Sequence, residues 1–406
     1  MGEQNWTGWK RNTALFLGGQ AVSLSGSMLV QYAITWYITL KTQSGALRTL
    51  FIIAGFLPMF FISPFAGVWA DRYNRKYLIV IADGAIALAT LCAAVLFSLG
   101  LDSMWFLGAA VVVRAVGQGV QSPAVSAMLP QLVPPDSLRR VNAINGGIQS
   151  ATMLLCPMIS GALLNFASIY TIFYIDVLTA ALGIGILLFC VKVSCIYNSD
   201  TERKRYFHEL REGFGYVRHH GFILRLIVVS TVFFIAGSPI MFLTPLQVTR
   251  DFGAEVWRLT AIEVAFSVGM MAGNVAISVW GGLKNHVFSM ALACVLFGFE
   301  SIALGLLDNF WIYLGVMAIT GCTVPLYNTP SAVLLQTKVD ALYMGRVFSV
   351  FSMISSLMLP AGMLLFGPLA DVVPISWLLI ASGVVIALLC LPLAGSRTMR
   401  EAGRAP

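Results

Sequence analysis

Residues 85–100 read Ala-Ile-Ala-Leu-Ala-Thr-Leu-Cys-Ala-Ala-Val-Leu-Phe-Ser-Leu-Gly, a run without a charge in which apolar side chains follow one another instead of alternating. Residues 384–393 read the same way. In hydrocarbon every backbone polar group must find its partner inside the protein, so a chain crosses lipid as helices or as a closed barrel of alternating strands. Continuous apolarity is the helical pattern. These runs therefore predict an all-α polytopic membrane protein.

Composition agrees with that class. Of 406 residues 58% are hydrophobic and 11% charged, against about 25% charged in a soluble domain. A spanning helix needs about 20 mostly apolar residues. Twelve such stretches follow, starting near residues 12, 46, 77, 103, 138, 169, 222, 259, 286, 310, 344 and 375. The first has no small-residue cleavage site after a short apolar core and is expected to be a retained helix, not a signal peptide. The net charge of +7 raises nucleic acid as a partner, but its distribution points to topology. With the N-terminus cytoplasmic, Lys41, Arg48, Arg250 and Arg258 lie on outer segments, Arg114 lies inside a span, and the other lysines and arginines lie on inner segments. This is the positive-inside bias, and it places both termini in the cytoplasm of a cell with a plasma (inner) membrane. The seven cysteines show no CxxC spacing, so neither a disulfide framework nor a metal site is expected. No cofactor is expected.

The longest polar stretch lies between the sixth and seventh spans. It divides the chain into an N-terminal six-helix bundle, 1–191, a cytoplasmic linker, 192–220, and a C-terminal six-helix bundle, 221–406. In the linker Phe207, Leu210, Phe214 and Val217 recur at helical spacing, as in a helix lying on the membrane surface; a solvated connector is the alternative. The halves echo each other. Ser122-Pro123 followed by Arg140-Val141 corresponds to Thr329-Pro330 followed by Arg346-Val347, with 17 residues from Pro123 to Arg140 and 16 from Pro330 to Arg346. Such internal repeats are common in transporters and predict two pseudo-symmetric bundles.

Between the second and third spans the chain reads Gly67-Val-Trp-Ala-Asp71-Arg72-Tyr-Asn-Arg75-Lys76. A glycine there permits close helix packing, and an acid among bases can form a charge-assisted network that holds one conformation and breaks in another. The loop resembles the signature of the major facilitator superfamily, with Gly67, Asp71, Arg72, Arg75 and Lys76 filling its positions. The resemblance implies that these residues act as a conformational latch, and that the fold is twelve transmembrane helices in two bundles.

Polar groups inside spans are costly and tend to face the bundle interior. Arg114 is followed by Gln118 and Gln121 on one helical face, and Asn142, Asn145, Gln149 and Thr152 share a face of the fifth span. Gln20, Ser23, Ser27, Gln31 and Thr35 form a stripe on the first span, with Tyr32 and Trp36 beside it. This stripe reads either as the wall of a wet cavity or as helix-to-helix hydrogen bonding. The substrate cavity is expected to be lined by Gln31, Trp36, Arg114, Gln118, Asn145, Gln149, Met270 and Tyr327, the flexible thioethers and aromatic rings suiting bulky apolar ligands. Four acids fall within spans: Asp83, Asp176, Glu263 and Glu300. A carboxyl in a poorly hydrated cavity can take a proton on one side and release it on the other. Glu263 is best placed for proton coupling because Ser267, Met270 and Asn274 share its face; Asp176 and Asp83 are expected to assist, while Glu300 is placed near the outer surface.

Gly19-Gln20-Ala21-Val22-Ser23, Ile262-Glu263-Val264-Ala265-Phe266, Gly345-Arg346-Val347-Phe348-Ser349 and Phe366-Gly367-Pro368-Leu369-Ala370-Asp371 are similar to stretches of the Mef-type macrolide efflux proteins. This similarity implies proton-coupled antiport and export of hydrophobic or amphipathic drugs, macrolides among them, with small amphipathic molecules, protons and lipid as partners and a monomeric state. Cys156 and Ser160 depart from the glycine-proline and double-glycine pattern of the fifth span in related antiporters. Other functions lack their motifs. There is no GxxxxGK[ST] phosphate loop for an ATP-driven pump, and no HExxH or GxSxG motif for an enzyme. A carrier of a physiological amphipath, such as a lysophospholipid or siderophore, and a non-transporting sensor remain as alternatives.

Overall fold

The computed structural model describes residues 8–191, 212, 214–283, 285–340, 343–396, 399, 401 and 403, without the side chains of 68, 71 and 135. Among the described residues twelve long helices follow in order: α1 Trp9–Thr42, α2 Gly45–Arg72, α3 Arg75–Ser98, α4 Met104–Leu132, α5 Pro135–Phe166, α6 Ile169–Gly185, α7 Gly221–Gln247, α8 Val256–Trp280, α9 His286–Leu306, α10 Phe310–Lys338, α11 Met344–Leu369 and α12 Ile375–Leu388. Wider π-helical turns, Ile186–Cys190 and Val248–Phe252, prolong α6 and α7. A short helix, Cys390–Gly395, follows α12. No β-strand occurs among the described residues.

The connections supply the caps that start these helices. Asn74, Ser103, Asn285 and Asn309 precede α3, α4, α9 and α10, and each side chain accepts from a backbone N–H of the first turn, satisfying donors that a helix leaves open. Gly281 stops α8 with a left-handed φ of 74°. Among the described residues eleven of these helices, with α6, α7 and α12 taken together with the helical turns that follow them, have the length and apolarity to cross a membrane. The exception is the 29-residue α4, whose apolar run is diluted by Arg114, Gln118 and Gln121.

The chain divides into two compact units, Met1–Tyr37 with Leu50–Glu202, and Ile38–Thr49 with Arg203–Pro406. In the first, α3 packs on α4 and α6, and α5 touches both α4 and α6. In the second, α8 packs on α10, α9 on α10 and α12, and α7 on α11 and α12. Glycines set the closest approaches. A Cβ built on Gly273 of α8 would stand 2.8 Å from Cα of Cys322 on α10, and one on Gly383 of α12 would stand 2.6 Å from the carbonyl oxygen of Gly298 on α9. Small residues at such crossings let backbones meet inside a membrane, where packing rather than water drives association.

The first turns of α2 group with the second unit, an assignment that no break in composition marks. Gln43, between α1 and α2, takes a φ of 49°, a left-handed conformation uncommon outside glycine. Its carbonyl accepts from Nε of Arg250 at 3.2 Å. Of the linker helix, Phe207 and Leu210 lie outside the described residues, while Phe214 is exposed and Val217 buried. The described part leans on the α10–α11 connection: Tyr216 donates to Asp340 at 3.0 Å, and Glu212 pairs with Arg346 at 2.8 Å.

Candidate functional site

Each unit encloses its own polar core. In the first, Arg114 of α4 places Nη1 2.5 Å from Oδ2 of Asp176 on α6, with the residues 3% and 0% exposed. Thr90 of α3 donates to the same oxygen at 3.1 Å, and Ser27 of α1 donates to Oδ1 at 3.4 Å. Arg114 also donates through Nη1 to Thr90 and through Nη2 to the carbonyl of Ser27, the latter at 3.1 Å. Four helices thus converge on one ion pair. Two glycines admit them: a Cβ on Gly26 would stand 2.9 Å from Oδ1 of Asp176, and one on Gly117 would stand 2.5 Å from Cγ1 of Ile86.

Two expectations meet this geometry. Asp176, expected to assist proton coupling, accepts hydrogen bonds on both carboxylate oxygens and pairs with Arg114. Arg114, expected in the cavity wall, is 3% exposed and closed into the same pair. Asp83 is also buried, and accepts from Nε2 of Gln121 at 2.9 Å, which in turn reaches Oε1 of Gln20 at 3.4 Å. The polar stripe on α1 therefore supplies hydrogen bonds between helices at Gln20 and Ser27, while Gln31 is exposed. Trp36 is fully buried, its ring 5.6 Å from that of Tyr32, and does not line open space either. Gln149 is exposed, and Gln118 and Asn145 are half-buried.

The signature loop holds its own unit together. Arg75 donates from Nε to the carbonyl of Ala70 at 2.7 Å and from Nη1 to that of Ala127 at 2.6 Å. Lys76 donates from Nζ to the carbonyls of Leu188 and Val191 at 2.9 and 2.8 Å. These bases satisfy carbonyls near the C-terminal ends of α2 and α4 and after α6, where positive charge is favoured. Arg72 is exposed, and the side chain of Asp71 lies outside the described part. Among the described residues, and apart from its own helix turn, no atom lies within 4 Å of a Cβ built on Gly67.

In the second unit Glu263 sits half-buried in the second turn of α8. Ser267 and Asn274, which share its helical face, form no hydrogen bond with it. Arg48 lies in the first turn of α2. Arg48 was placed on an outer segment by the sequence; here it is 4% exposed, donates from Nη1 to Thr39 and has no partner for its buried Nε. Only its neighbours in space distinguish it from a loop arginine, because it falls at the start of an apolar run. Met270 is half-buried. Tyr327, expected in the cavity, is fully buried: its ring stacks on Phe233 at 3.8 Å and its hydroxyl bonds with Ser230 at 3.0 Å. Glu300, placed near the outer membrane surface by the sequence, is 8% exposed. Its Oε1 accepts from Thr323 at 2.6 Å, while Oε2 has no partner.

A clasp that the sequence did not show lies at the end of α11. Asp371 accepts from the backbone N–H of Gly45 at 2.6 Å, that of Ala46 at 2.9 Å, the Ser44 hydroxyl at 2.8 Å and Nη2 of Arg250 at 2.9 Å. It thereby caps α2. Burial alone would raise its pKa, but these donors together hold the carboxyl below the ordinary carboxylate range. Arg250 completes the clasp by donating from Nη1 to the carbonyl of Ala370 at 2.6 Å.

A polytopic helical chain with a buried ion pair in one unit, and one buried and one half-buried acid within helices of the other, has the form of a membrane transporter. The sequence profile described as Major Facilitator Superfamily matches residues 16–363, and the chain belongs to that family. It is 28% identical to "Macrolide efflux protein A" of Streptococcus pyogenes over 390 residues, 95% of this chain and 96% of the other. It is also 28% identical to "Macrolide efflux protein A" of Enterococcus faecalis over 315 residues, 77% of this chain and 97% of that one. Among solved structures, a nucleoside transporter superposes with a TM-score of 0.71 at 13% identity, covering 95% of this chain and 99% of that one, which speaks to fold alone.

Proposed function

We propose that this transporter is a secondary active exporter of hydrophobic or amphipathic drugs, macrolide-type antibiotics foremost, driven by proton antiport. The observation that carries this reading is the 28% identity to a macrolide efflux protein along nearly the full length of both chains. The coupling residue is Glu263, whose half-buried position on an apolar helix gives a carboxyl both shielding and access. Its hydrogen-bonding freedom supports the role, because a group that must exchange a proton for a ligand cannot be locked to donors as Asp176 is. Asp83 assists, and Gln31, Gln118, Asn145, Gln149 and Met270 supply accessible surface to substrate. Protonation neutralises Glu263, while a cationic ligand favours its ionised form, so the two compete and antiport follows by linkage. Asp71, Arg72, Arg75 and Lys76 govern the exchange between states rather than touching substrate. The chain works as a monomer in the plasma membrane with both termini in the cytoplasm.

Transport of a physiological amphipath is the second reading, favoured by the exposed Met271 beside the half-buried Met270, since thioethers adapt to many apolar shapes. A growth-inhibition panel with and without expression separates the readings. Protection against macrolides supports the first. Protection against lysolipids alone supports the second, and absence of substrate-dependent flux in purified vesicles rejects both.

A further inference from the structure

The stretch Gly367-Pro-Leu-Ala-Asp371 at the end of α11 has the same form as Gly67-Val-Trp-Ala-Asp71 at the end of α2: a glycine four residues before an aspartate. The two copies are packed differently. Among the described residues, and apart from its own helix turn, a Cβ on Gly67 would meet no atom within 4 Å. A Cβ on Gly367 would overlap the Thr49 hydroxyl and stand 3.0 Å from the carbonyl oxygen of Gly45, and Thr49 donates to the carbonyl of Met363 at 3.3 Å. The last turns of α11 therefore meet the first turn of α2 with no room for a side chain, and Asp371 caps that turn through the N–H groups of Gly45 and Ala46. All of this lies within the second unit, to which residues 38–49 belong although residues of the first flank them. The contact sits at the start of α2 and the signature sequence at its end, about 40 Å away along a helix of 28 residues.

The side chains of Arg250 and Asp371 are 27% and 28% exposed, so water can replace each partner if the contact parts. The Arg114–Asp176 pair is sealed, and its separation would strand a charge. Arg250 belongs to the π-helical turn Val248–Phe252, a form frequent at functional sites. Gln43, whose carbonyl Arg250 holds at 3.2 Å, keeps its φ of 49°, a strained conformation of the kind that persists where neighbours fix it and that clusters at switch regions.

We propose that Gly367-Pro-Leu-Ala-Asp371 is a second conformational latch, closed in this conformation and released when the transporter changes state, with the signature loop as its counterpart at the other end of α2. The inference rests on the reading of the signature loop as a latch. Gly367 lets α11 approach, Asp371 grips the open N–H groups of α2, and Arg250 ties that carboxylate to Gln43. One state is held at the start of α2 and the other at its end, so weakening either latch shifts the population toward the state that the other holds.

Hydrogen exchange in the purified full-length protein reads both ends of α2 without a substrate. Asp371→Ala should speed exchange over residues 43–49 at least about tenfold and slow it over residues 67–76 at least about twofold, as the population moves to the state in which the signature loop is packed. A cap that serves local structure alone would speed exchange over 43–49 and leave 67–76 unchanged, and that result overturns the proposal. If Asp371→Ala does not fold, Gly367→Ala, which wedges α11 from α2 without touching a charge, is read over the same two stretches by the same rule. Asp71→Asn, measured alongside, separates the two latches. Slower exchange over 67–76 in Asp371→Ala with no change over 43–49 in Asp71→Asn keeps the latch at Asp371 and removes the role of the signature loop. Slower exchange over 43–49 in Asp71→Asn with 67–76 unchanged in Asp371→Ala does the reverse.

Discussion

Nη1 of Arg114 lies 2.5 Å from Oδ2 of Asp176, and both side chains are closed off from solvent. Removing one member of such a pair strands a buried charge and costs about 3–5 kcal/mol, whereas replacing both is far milder. Asp176→Asn and Arg114→Met are each expected to lose folded protein and melting temperature. The double variant is expected to recover most of the loss in size-exclusion and thermal-melt assays. A fully additive loss would show that the two act separately.

Gly273 sets the contact between α8 and α10. Any side chain there meets backbone at 2.8 Å, not a movable side-chain tip. Gly273→Val is expected to destabilise by about 1–3 kcal/mol through overpacking, while Gly84→Ala, where a Cβ meets no atom within 4 Å, is expected to be silent. Paired thermal melts check this.

The clasp at Asp371 has a defined pH window. Its carboxyl titrates below the ordinary range in the folded protein. The stabilisation it brings is therefore fully present above the unfolded value near pH 4 and is lost only as pH falls through the lower folded value. Hydrogen exchange at Gly45 and Ala46, corrected for intrinsic rate, should stay protected at about pH 5 and approach the level of an Asp371→Asn variant only below about pH 4. Loss of protection already near neutral pH would contradict the assignment.

The helices were legible in the sequence because each is a long apolar run with a polar break, and the helix starts fall within three residues of those read from the runs. The partners of the polar side chains were less legible. Arg114, Gln118 and Gln121 were visible as a polar face on α4, yet the pattern could not say that Gln121 serves Asp83 while Arg114 serves Asp176. Partners across 38 and 62 positions of sequence are set by which helices pack together. Arg48, four residues into an apolar run, reads as a flank, and its burial was not visible in the sequence. Trp36 was assigned to a cavity because it adjoins the polar stripe of α1, and Tyr327 because aromatic rings suit bulky apolar ligands, but buried aromatic residues serve packing as readily as ligands.

Glu263→Gln preserves shape and removes the exchangeable charge, so uphill export of a macrolide such as erythromycin into inverted membrane vesicles under an imposed proton gradient tests the central claim most directly. The expected result is no accumulation against the gradient, with ligand binding retained and downhill exchange intact. Accumulation equal to the unsubstituted protein would contradict the account and make Glu263 a structural residue.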